Sequence, residues 1–112
     1  MSLTALFLSL CLHTPLPCDK VEVSYANLGT NVLGRATKMS TGRLIIQLDN
    51  TLKTSPDWLQ RNVMLHEVSH LVVWHENPNR LLQHHGPTFR STCLHLAASY
   101  GAGKAGCIKG TS

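Results

Sequence analysis

The sequence predicts a small α+β domain: an N-terminal helix, a three-stranded antiparallel sheet, a long helix packed on that sheet, and a C-terminal helix. Three observations carry this. Val21, Val23 and Tyr25 alternate with Glu22 and Ser24, and Leu44 to Leu48 is a short, β-branched apolar run, so both read as strands. The stretch that ends near Glu76 holds Leu59, Val63, Leu65, Leu71, Val72, Val73 and Trp74, apolar on more than one face, as in a helix inside a core. The 112 residues contain no internal repeat and no low-complexity linker, which makes them one domain.

Taken in order, Leu3, Leu6, Phe7, Leu10 and Cys11 recur at three-and-four spacing and predict the first helix. The same apolar run has no basic residue before it and no small-x-small site after it, which argues against a signal peptide. At about ten residues it is also too short to span a bilayer. The expectation is an intracellular protein without a membrane partner, with secretion the minor reading. His13 to Pro17 is a loop, 21–25 the first strand, 27–30 a turn and 33–39 a second strand weakened by Gly34. Ser40-Thr41-Gly42 turns the chain into the strand at 44–48. Ser55 as N-cap, Pro56 at the first helical position and Asp57 near the dipole open the long helix, and Glu76-Asn77-Pro78-Asn79 closes it. From Pro87, the spacing of Phe89, Cys93, Leu96, Ala97 and Tyr100 predicts the last helix, with Gly101 as its C-cap. Residues 101–112 read as a mobile tail outside a core of about 3–100.

A net charge of +4 and a pI near 9.1 are compatible with nucleic acid, yet the ten Lys and Arg are scattered without a cluster or an aromatic-interleaved stripe. Cys11, Cys18, Cys93 and Cys107 contain no C-x-x-C and match no zinc ribbon, so they read as small reduced hydrophobes; pairing of Cys11 with Cys18 or Cys93 with Cys107 would fit a secreted chain.

The chemistry concentrates at His66-Glu67-Val68-Ser69-His70. Residues four apart on a helix share a face, so His66 and His70 present two imidazoles to one metal ion. Glu67 follows the first ligand and can take a proton from a metal-bound water. A catalytic zinc needs a third protein ligand and one open position. His75 and Glu76 are near in sequence, but His75 lies about 500° around the axis from His70 and faces away. His84 and His85 follow a loop long enough to fold back, and spacing leaves both open. No oxyanion-stabilising group is identified by spacing; Tyr25 and Tyr100 are the two tyrosines.

Leu65-His66-Glu67-Val68-Ser69-His70, followed at the right interval by His85-Gly86-Pro87-Thr88-Phe89, resembles the SprT-like metallopeptidase domain, the gluzincin-type family that includes Spartan, a protease of DNA–protein crosslinks. Gly34-Arg35-Ala36 and the Ser-Pro-Asp helix start resemble that family's approach to its motif, and the likeness spans about residues 3–100. It implies a zincin-like fold and a zinc endopeptidase with one catalytic Zn2+, held by His66, His70 and His85, with Glu67 as general base. On the same resemblance Gly86 lets the loop turn so that His85 reaches the metal, and Phe89 packs the last helix on the motif helix. The implied partners are a protein or peptide substrate and, as a candidate, DNA. The family's cysteine-rich ribbon and long DNA-binding tails are missing from this sequence, which sets the crosslink-repair role apart from the chemistry. The alternative is a zinc-stabilised DNA- or protein-binding module with little turnover, against which the intact Glu67 counts.

Overall fold

Leu3–Cys11 forms α1, capped by Ser2, whose hydroxyl accepts from the Ala5 amide at 3.1 Å. Its buried residues are Leu6, Phe7, Leu10 and Cys11, the face that the spacing predicts. The computed structural model describes residues 2–78, 85–100 and 107. After a short 3-10 turn at Cys18–Lys20 come three strands: β1 (Val21–Ala26), β2 (Gly34–Lys38) and β3 (Leu44–Asp49). A second 3-10 turn, Asn50–Thr54, leads into α2 (Asp57–Glu76), and α3 runs from Pro87 to Tyr100.

The three strands make one sheet, but it is mixed rather than antiparallel. Its order is β1-β3-β2, with β3 parallel to β1 and antiparallel to β2. The turn at Ser40-Thr41-Gly42 closes the expected hairpin, with Gly42 at φ +91° and the Met39 amide bonded to the Arg43 carbonyl. The connection from β1 to β2 is what the expectation of an antiparallel sheet misplaces. It loops past the end of β3, where Asp49 Oδ1 accepts from the Leu28 amide and the Asp49 amide donates to the Leu33 carbonyl, both at 2.9 Å. Chain neighbours β1 and β2 are thereby separated, and the centre goes to β3. Its Leu44, Ile46 and Leu48 are all buried, so the most apolar strand is the one shielded on both sides.

α2 packs against β2, β3, α1 and α3, and residues Val63 to Val73 are buried without interruption. Its start differs from expectation by one residue. Pro56 is the N-cap and gives no side-chain cap, because the Ser55 hydroxyl donates to the Thr51 carbonyl and closes the preceding turn instead. Its end is as expected: Asn77 Nδ2 bonds the Val73 carbonyl at 2.9 Å. α3 buries Phe89, Cys93, Leu96 and Ala97.

The cysteines are paired, which corrects the expectation of reduced thiols. Cys11 is bonded to Cys18 and Cys93 to Cys107, with Cα separations of 5.9 and 5.5 Å. In the first pair the chain reverses after α1, where the Thr14 hydroxyl donates to the Cys11 carbonyl and accepts from the Leu16 amide. Of the segment 101–112, expected to be a mobile tail, Cys107 alone is described; it is buried and tied to α3. The Gly101 cap lies outside the described residues. Among the described residues no helix is long and apolar enough to cross a membrane.

Candidate metal centre

The middle of α2 buries four polar side chains, His66, Glu67, Ser69 and His70, each no more than 2% exposed. Burying a polar group without a partner costs a few kcal/mol, so each needs an account. Ser69 has the simplest one: its hydroxyl donates to the Leu65 carbonyl one turn back, at 2.7 Å.

The histidines are accounted for together. His66 and His70 stand one turn apart on α2, and Thr88–Phe89 at the start of α3 follow His85, which completes the group from the other side. The Nε2 atoms of His66 and His85 lie 3.1 Å apart, and that of His70 lies 3.2 Å from each. Three imidazole nitrogens thus form a nearly equilateral triangle. Tetrahedral coordination with metal–nitrogen distances of ~2.0–2.1 Å needs donor–donor edges of about 3.3 Å. The observed edges are close to that value, and the donor set is the one that borderline divalent ions prefer. The three residues are the candidate ion-binding group among the described residues. His75 and Glu76 are exposed at the end of α2 and take no part. His84 lies outside the described residues.

Aromatic rings pack against all three imidazoles. Phe89 stacks on His70, with centroids 4.3 Å apart and planes at 27°, and meets His66 and His85 edge-on at 4.9 and 5.1 Å. Trp74 also stacks on His70, at 5.7 Å and 21°. Phe89 therefore touches all three rings as well as joining α3 to α2. The sequence reading gives it only the second role, and Trp74 none; its position one turn beyond His70 was the available signal.

Glu67 is the remaining case. It is fully buried, and neither carboxylate oxygen has a hydrogen-bond partner among the described residues. Burial pushes its pKa up from 4.5 to about 8. Stability alone gives no reason to keep an acid in such a place. A water held at an ion beside it would supply the missing partner, so an orphaned carboxylate adjacent to three converging imidazoles fits a hydrated metal ion. The tyrosines are engaged elsewhere: Tyr25 donates to Gln60 Oε1 at 3.1 Å, and Tyr100 shares a hydrogen bond with Ser9 at 2.8 Å.

Compared with known protein families, residues 5–107 match the model of the SprT-like family. A search of curated proteins gave no match.

Proposed function

The chain belongs to the SprT-like family, and from that premise we propose that it is a zinc-dependent endopeptidase. The observation that carries the proposal is the convergence of three imidazole nitrogens on one point, beside a buried carboxylate that structure alone does not require. His66, His70 and His85 would hold the ion. When bound, zinc supplies Lewis acidity: it brings the pKa of a water towards ~7 and polarises a carbonyl oxygen.

The protein's own groups do the rest. Glu67 accepts the proton of the attacking water and delivers it to the leaving amine. Its burial favours the first half of that cycle, because an environment that resists the charged form makes the carboxylate a stronger base. Phe89 and Trp74 hold the ligand rings while the charge changes beside them. The substrate class implied by the family resemblance is protein, with DNA-bound protein as the narrower form.

The test begins with metal content. One zinc per wild-type chain is expected, with affinity sharply reduced in His66→Ala and in His85→Ala. Cleavage of an unfolded protein substrate, with and without duplex DNA, then follows in wild type and in Glu67→Gln. The variant should keep its zinc and lose cleavage. Persistent cleavage by pure Glu67→Gln protein, or a folded wild type without stoichiometric metal, removes the peptidase reading. Salt-sensitive DNA binding by both proteins without turnover would favour a binding module instead.

A further inference from the structure

Gly34 opens β2 where that strand crosses the side chain of Glu67. A Cβ at Gly34 would lie 2.7 Å from Glu67 Oε2, 2.9 Å from Glu67 Cγ and 2.8 Å from Val63 Cγ1. All three distances are closer than real Cβ atoms come, so something would have to move. Neither neighbour has room to do so cheaply. Val63 and Glu67 are buried and stand one turn apart on the same face of α2. The strand is held too, since Gly34 pairs with Leu48 on β3 and the preceding Leu33 carbonyl accepts the Asp49 amide. The requirement at Gly34 is space, the reason a glycine in a strand interior often marks a close approach.

We propose that Gly34 is a positioning residue for Glu67: the bare backbone of β2 sets where the carboxylate rests, and so where the general base meets the water it deprotonates. The catalytic half of this inference rests on the peptidase reading; the steric half rests on the contact alone.

The experiment compares Gly34→Ala with wild type in two ways. In cleavage of a fluorescent casein substrate by zinc-loaded protein, kcat should fall at least tenfold, while KM stays within twofold and zinc stoichiometry is unchanged. A merely structural glycine would lower the melting temperature without that split. The second measurement is the loss of melting temperature caused by Gly34→Ala in the wild-type and Glu67→Ala backgrounds. At least half of the loss should vanish when the Glu67 side chain is gone. Equal losses in the two backgrounds, unchanged kcat in Gly34→Ala, or failure of Gly34→Ala to fold in either background would each overturn the inference. Folding of the double variant where Gly34→Ala alone does not fold would support it. If wild type cleaves nothing, the peptidase reading and the catalytic half fail together, and the melting comparison still decides the contact.

Discussion

Among the described residues two carboxylates are buried, Asp49 and Glu67, and the structure treats them in opposite ways. Asp49, at the end of β3, accepts from the Leu28 amide at 2.9 Å, the Thr51 amide at 3.0 Å and the Thr51 hydroxyl at 2.6 Å. The Thr51 hydroxyl and these amides hold its pKa below the usual 3.8. Glu67, in the middle of α2, has no such bond among the described residues, and burial pushes its pKa up to about 8. Asp49 ties the β1–β2 connection to the sheet and starts the turn into α2. Glu67 ties nothing. A satisfied buried acid is part of the framework, whereas an unsatisfied one beside a ligand cluster is a candidate for chemistry.

The largest effect that separates the two is on turnover. Glu67→Gln should lower kcat by about 10²–10⁴-fold, the usual worth of a general base, with zinc content unchanged. Asp49→Asn should leave kcat of the folded, zinc-loaded protein within twofold of wild type. A comparable kcat loss in both variants would break the distinction between framework and chemistry.

Metal removal is next in size. Zinc at a hundred times its dissociation constant adds ~2.7 kcal/mol to the folded state, on the order of 10 °C in the melting temperature of a domain of this size. Wild type and Asp49→Asn should show the same rise, and His85→Ala almost none. A rise that persists in His85→Ala would place the ion elsewhere.

The pH dependence of the metal-free protein sharpens the same contrast. Because the folded-state pKa of Glu67 is raised, folding takes up a proton between about pH 4.5 and pH 8, and stability falls as pH rises through that window. Glu67→Gln removes this fall. The variant should match wild type near pH 4 and melt several degrees higher near pH 8 when both are stripped of metal. Parallel melting profiles of the two proteins across that range would show that Glu67 is not held in an environment hostile to charge.

These predictions draw on features that differ in how plainly the sequence shows them. The α2 helix, the buried face of α1 and the β2–β3 hairpin follow from local periodicity and turn residues, which act within a few positions. His66 and His70 are legible for the same reason, being one turn apart on one element. His85 required the family pattern, because a loop decides where it goes; the structure brings its Nε2 within 3.2 Å of those of His66 and His70. The position of β1 beside β3 was not legible, since it depends on how the connection wraps Asp49, a contact between residues 21 positions apart. The two disulfide pairings, Cys11 with Cys18 and Cys93 with Cys107, were legible only as the alternative to reduced thiols, because composition alone does not say whether cysteines are bonded. Gly34 reads in the sequence only as a weak point in a strand, and its close approach to Glu67 depends on the packing of β2 across α2.

The smallest expected effect tests the framework side of the comparison. Asp49→Asn keeps the shape of the side chain but replaces one acceptor oxygen with an amide donor, which then faces either the Leu28 amide or Thr51. One of those contacts must be lost, and a drop of roughly 5 °C in melting temperature at pH 7 follows. The lowered pKa of Asp49 gives the sign of the pH dependence: its contribution is present above the ordinary carboxylate pKa of 3.8 and is lost as pH falls below it. Wild type and Asp49→Asn should therefore converge in stability on acidification, while wild type and Glu67→Gln diverge on going basic. If the Asp49→Asn deficit instead grew at low pH, its bonds would be serving the neutral acid, and the contrast between the two carboxylates would fail at the framework end. A deficit that is constant with pH would assign the loss to packing at the Leu28 turn rather than to the charge.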